Sequence, residues 1–195
     1  KMVYVVKEMI KRRIFMKKTV FDLGGMIAGI ALLIILLLTS VQLVAFNHSY
    51  YRSEYRKLDR PNAIGISEEN LMKVTDELLK YLQDRREDLL IKTVINGQER
   101  YVFNDREIRH MVDVKDLFLR GYSLRRWCVW IVAACLILLW VFAGKRMWRI
   151  LARSFIAGAT LFLLFILLLI GLLQTDFTRY FNRFHYIFFT NDLWQ

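Results

Sequence analysis

The chain has 195 residues, 56% of them hydrophobic, a mean hydropathy of +0.30 and a formal net charge of +11. So apolar a composition excludes an ordinary soluble domain and calls for membrane spans. The charge would suit a nucleic-acid partner, but it is confined to two short segments, and that excludes nucleic-acid binding.

Residues 1–19 form a basic segment, in which Lys1–Lys18 carries seven Lys/Arg against one acid. Val20–Phe46 is apolar throughout after Asp22 and reads as a first membrane helix, 20–46. About 20 apolar residues cross the roughly 30 Å hydrocarbon core, whereas a signal-peptide core is only about 7–15 residues long. A cap, 47–126, follows. Its stretch Asn47–Ser123 holds 14 basic and 14 acidic residues and is neutral.

Within the cap, "GISEEN" (Gly65–Asn70) reads as a helix start, with Ser67 as N-cap and acids in the first turn. Leu71, Val74, Leu78 and Leu82 recur at helical spacing. "IKTVINGQERYVF" reads as a hairpin, because Asn96-Gly97 accepts the positive φ angles of a type I′ turn. "NDREIRHMVDVKDLF" reads as a second helix, with Asn104 and Glu107 spaced as a capping box. This helix is expected to run on toward the membrane at Gly121–Arg126. His110, Asp113 and Leu117 share one of its faces, so Asp113 is in reach to orient the His110 ring, while Lys115 points elsewhere.

Trp127–Gly144, 18 residues without a charge, reads as a second span (127–144), and Phe155–Gln174, 20 residues without a charge, as a third (155–174). Between them, residues 145–154 carry four Lys/Arg and no acid. The two basic segments are then cytoplasmic by the positive-inside rule, and the cap and the final segment 175–195 lie outside. Cys128 and Cys135 are two helical turns apart, about 10.5 Å of rise, too far to bond to each other. They read as packing residues.

The final segment is aromatic-rich: eight of the 22 residues from Gln174 to Gln195 are Phe, Tyr or Trp. An interfacial belt explains Trp and Tyr but not five phenylalanines, and an apolar pocket explains both. The three histidines, His48, His110 and His185, all fall on the outer side. Histidine is the side chain best suited to proton transfer near neutral pH. No HExxH or cysteine pair supports a metal site, and no GxSxG surrounds Ser49, Ser53 or Ser123. The expected fold is an all-α membrane helix bundle with three visible spans and a small α+β extracytoplasmic cap containing a β-hairpin.

"RHMVDVKDLF" (Arg109–Phe118), "FHYIFFTNDLW" (Phe184–Trp194) and "YYRSEYRKL" (Tyr50–Leu58) together resemble the lipoprotein intramolecular transacylase (Lit) family. The resemblance covers the chain from the first span to its end. It implies an integral membrane acyltransferase of Gram-positive bacteria that acts on diacylated lipoproteins. The sn-2 acyl chain would move from the glyceryl oxygen to the N-terminal cysteine amine, giving a lyso-form product. It also implies two catalytic histidines, matching His110 and His185. The family has four spans where this sequence shows three, so a fourth is expected after residue 195.

For such chemistry the residues suggest His110 as the base, oriented by Asp113, with His185 polarising the ester or protonating the leaving oxygen. These two roles are interchangeable on sequence alone. Asn191 is a candidate oxyanion donor, and Asp192 a candidate orienter of His185. Tyr51, Phe181, Phe184 and Phe188 are candidate pocket residues; Glu54 and Arg56 are weaker ones. No cofactor and no metal are expected, since the acyl donor is the substrate itself. The expected partners are the lipoprotein and membrane lipid. The competing class is a non-enzymatic membrane sensor or partner subunit with a ligand-binding cap.

Overall fold

The computed structural model describes residues 2–189 and 191–194, with side chains described from Thr19 onward. The side chains of the basic segment 1–18 therefore lie outside the described residues. Among the described residues, the chain forms seven α-helices and one two-stranded sheet in the order α1 (Met2–Ala45), α2 (His48–Lys57), α3 (Arg60–Ile64), α4 (Glu68–Leu82), β1 (Lys92–Ile95), β2 (Gln98–Tyr101), α5 (Asp105–Ala143), α6 (Met147–Thr175) and α7 (Phe177–Phe188). Two helical stretches among the described residues are long and apolar enough to cross a membrane, Thr19–Ala45 and Asp105–Thr175. The second is broken by a 3-10 turn at Gly144–Arg146, where Gly144 adopts φ 53°. Within the basic segment 145–154 the non-α-helical turn is short. Met147–Ser154 has no helix breaker, and its residues continue α6.

The molecule divides into two compact units. One comprises Lys1–Leu37 and Leu124–Thr175. Its helices meet through small residues. A methyl group on Gly25 would press on Ser154 Oγ at 2.7 Å and on Ile150 Cγ2 at 2.8 Å. One on Gly29 would stand 3.2 Å from the Ser154 carbonyl oxygen. Gly158 faces Leu33 from the other side. Ala28, Ala31 and Ser154 are buried here. Small residues that let two backbones approach are the usual means of pairing apolar helices in lipid, where the hydrophobic effect supplies no drive. Cys128 is buried and Cys135 half-buried, both as free thiols.

The other unit comprises Leu38–Ser123 and Asp176–Gln195. Its core gathers Ile66, Leu71, Val74, Tyr81, Leu82, Leu89 and Ile91 against Phe46, Leu78, Val102, Phe103, Ile108, Met111, Val114 and Phe118. The helix α4 forms as its sequence dictates: Ser67 Oγ accepts from the Asn70 amide at 3.2 Å, and of the expected stripe Leu71, Val74 and Leu82 are buried while Leu78 is half-buried. The hairpin also forms, with Lys92 opposite Tyr101 and Ile95 opposite Gln98. Asn96 (φ 51°) and Gly97 (φ 77°) supply its turn. The turn is pinned to the start of α4 by an Asn96 N–H to Gly65 carbonyl bond of 2.7 Å. Gly65 has φ +71°, and a side chain there would collide with Asn96.

The expected capping box closes at both ends. Asn104 Oδ1 accepts from the Glu107 amide at 2.9 Å, and Glu107 Oε2 accepts from the Asn104 amide at 2.8 Å. From that cap, α5 runs without interruption through Gly121–Arg126. Ile108, Met111, Val114 and Phe118 form the face that joins the core. His110 and Asp113 stand on a neighbouring face, about 100° further round per residue step.

Three helices escape the sequence reading, among them the short α3. In α2, the cap is Asn47, whose Oδ1 accepts from the amides of Ser49 and Tyr50. In α7, it is Asp176, whose Oδ1 accepts from the Arg179 amide at 2.9 Å.

Candidate active site

His110 comes from α5, and His185 from α7, each half-buried. Both rings rest on one side chain. Phe189 lies 5.3 Å from His110 and 5.6 Å from His185 between ring centroids, and is itself buried. Seventy-five positions of sequence are thereby closed into a single aromatic enclosure. Trp194 stacks on His185 at 4.5 Å and 26°, Phe181 stands 4.1 Å away and Phe184 5.4 Å away. Phe188 packs on Phe184 at 4.7 Å. Of the expected pocket residues, Phe181 and Phe184 thus pack on His185, and Phe188 on Phe184. Tyr51 is engaged elsewhere: its hydroxyl donates to the Ala45 carbonyl at 3.0 Å and its ring packs with Tyr50 and Tyr55. Arg56 pairs with Glu68 at 2.7 Å, and Glu54 with Lys57 at 3.6 Å.

The hydrogen bonds define the chemistry. His185 Nδ1 lies 2.9 Å from the carbonyl oxygen of Phe181, one turn back in the same helix. A carbonyl only accepts, so Nδ1 carries the proton, and in the neutral ring Nε2 is left with a lone pair. His110 Nδ1 is buried and has no hydrogen-bond partner. Burial pushes the His110 pKa below the usual imidazole value; the Asp113 carboxylate opposes this, and the nearby His185 adds to it. His110 is therefore uncharged at neutral pH.

The expected hydrogen bond from Asp113 to His110 does not form. Asp113 Oδ2 instead accepts from Asn191 Nδ2 at 2.8 Å. Asn191 is itself committed, since its Oδ1 accepts from the Leu193 amide at 3.1 Å. Asp192 offers its backbone carbonyl to Arg106 Nη2 at 2.8 Å. Lys115 indeed faces away, paired with Asp84 at 2.7 Å and lying over the Tyr81 ring. His48 belongs to another surface and pairs with Asp76 at 3.1 Å.

Phe189, Trp194 and Arg106 are the site residues that sequence reading misses. The two aromatics were visible only as part of the Phe-rich composition, and Arg106 only as its place seven residues before Asp113 on the same helix face.

Long apolar helices, together with a small α+β unit that brings two imidazoles onto one phenylalanine, define a class of helical membrane protein with a histidine pair. The family model "Lipoprotein intramolecular transacylase Lit" matches residues 26–195. The chain belongs to this family and is a lipoprotein transacylase, an acyltransferase. That assignment sets aside the sensor reading. No curated protein sequence matches it.

Among solved structures it is similar to the membrane-integral lipoprotein intramolecular transacylase Lit from Bacillus cereus. The TM-score is 0.70 at 17% identity, covering 91% of this chain and 76% of that one. A histidine-to-arginine variant of the same protein gives 0.72 at 15% identity, covering 95% and 77%. A histidine-to-alanine variant gives 0.68 at 19%, covering 94% and 77%. These likenesses bear on the fold.

Proposed function

We propose that the chain moves the sn-2 acyl group of a diacylglyceryl-cysteine lipoprotein onto the free amine of that cysteine, with His185 as base and His110 as donor. The carrying observation is the pair of imidazoles on Phe189, with the His185 Nδ1 proton committed to Phe181. The cysteine nitrogen attacks the ester carbonyl and a C–N bond forms. His185 Nε2 takes the nitrogen's proton. The C–O bond to glycerol breaks, and the same proton passes to the departing glyceryl oxygen. A ring N–H of uncharged His110 donates to the carbonyl oxygen while it carries negative charge. Of the two assignments that sequence leaves interchangeable, this one follows because a neutral His185 has no N–H left to offer an oxyanion.

The substrate amine is an α-amino group, which titrates near 8, so an appreciable fraction is already neutral at pH 7. Holding amine and ester together contributes roughly 7–11 kcal/mol. The aromatic enclosure is suited to that, with the acyl tails left in lipid. Three spans, 20–46, 127–144 and 155–174, with cap and site on the extracytoplasmic face of the cell membrane, complete the reading. The two basic segments support it.

The test is acyl position, read by mass spectrometry on a diacylglyceryl-cysteinyl peptide. Wild-type protein is expected to give the N-acyl lyso product. His185→Ala and His110→Ala should each lower kcat by about 10²–10⁴-fold. Undiminished migration in both variants would sink the mechanism.

A further inference from the structure

We infer that Asn191 and Asp113 are a positioning pair, which together with Arg106 holds the strap Asn191–Trp194, and with it the Trp194 ring, beside the two imidazoles and Phe189. The inference rests on the transacylase reading of the site. The Asn191 amide spends its nitrogen on Asp113 and its oxygen on the Leu193 N–H, which also fixes the amide orientation. Arg106 ties the next residue of the strap through the Asp192 carbonyl.

Arg106, His110 and Asp113 stand at i, i+4 and i+7 on α5, so the two ties fall on either side of His110 along one helix face. What they hold in place is the cover itself. Phe189 lies against both rings, and Trp194 stacks on His185. Within the cover, His110 Nδ1 and Trp194 Nε1 are both buried without hydrogen-bond partners. Unsatisfied buried polar atoms persist where surrounding structure over-determines them, and the clasp supplies that determination. Releasing it would let water reach the imidazoles and would loosen the geometry on which acyl transfer depends.

The full chain in proteoliposomes, with the same lipopeptide, tests this. Asp113→Ala and Asn191→Ala are each expected to lose about 10–100-fold in kcat, as small misplacements of a reacting pair do. The double alanine variant should be no worse than the poorer single one, because one bond is lost only once. The exchanged pair Asp113→Asn/Asn191→Asp rebuilds the bond with donor and acceptor swapped, and should recover to within about threefold of wild type.

Alanine variants as active as wild type, losses that multiply, or an exchanged pair as slow as the singles would each overturn the proposal. The last outcome would mean that a carboxylate is required at position 113 itself. A second readout needs no turnover. Modification of His185 by diethylpyrocarbonate, followed by peptide mass spectrometry, should accelerate in the single variants and return to the wild-type rate in the exchanged pair. Equal rates in all variants would refute the clasp. If wild-type protein moves no acyl group, the transacylase mechanism fails, while the labelling rates still decide the clasp.

Discussion

His110 sits where burial and charge pull in opposite directions. Burial disfavours its charged form more than Asp113 favours it, so its pKa in the folded protein lies below the usual imidazole value. Above pH about 6.5 both folded and unfolded states hold this ring neutral. As pH falls below that, the unfolded state takes up a proton that the folded state refuses. Stability contributed by His110 is thus complete above the unfolded pKa and declines toward the folded one. Unfolding measured between pH 7.5 and 5.5 should show that decline in wild type, and His110→Gln should flatten it. An equal decline in the variant would assign the effect to other groups.

The sequence allowed His110 and Asp113 to be placed on one face, since spacing along a single helix is local information. It did not reveal that Asp113 would choose Asn191. That choice depends on a contact 78 positions away, and no periodicity encodes it.

Among the elements, close helix packing in the first unit offers the sharpest contrast. Gly24 has nothing within 4 Å of a would-be methyl, whereas Gly29 faces the backbone of Ser154 at 3.2 Å. Gly24→Ala should therefore be neutral or gain up to about 1 kcal/mol of helix propensity. Gly29→Leu must push α1 and α6 apart and should lower thermal stability in detergent by several degrees. Equal melting of the two variants would mean that the small-residue contact does not hold these helices together.

The elements legible in advance were those with local signatures: the Ser67 cap, the Asn96-Gly97 turn and the Asn104–Glu107 box all stand where expected. The helices α2 and α7 were missed because neither has an apolar stripe of ordinary residues. One is dominated by Tyr and Arg; the other spaces Phe177, Phe181, Phe184 and Phe188 at three and four, a pattern that composition obscured.

For the whole molecule, the charge asymmetry makes a directional prediction. A cysteine placed at Gln98, in the exposed second strand of the hairpin, should react with a membrane-impermeant maleimide in intact cells. One placed at Lys145 should react only after the membrane is permeabilised. The background is a variant with Cys128 and Cys135 replaced. The reverse pattern would invert the proposed orientation. The architecture also bears on how the enzyme cycles. The proton on His185 Nδ1 is anchored by a carbonyl of its own helix, not by the strap that shields it. A lipopeptide arriving at the site therefore meets a proton acceptor whose polarity was decided when α7 folded, and departing product leaves nothing to be rewired before the next arrival.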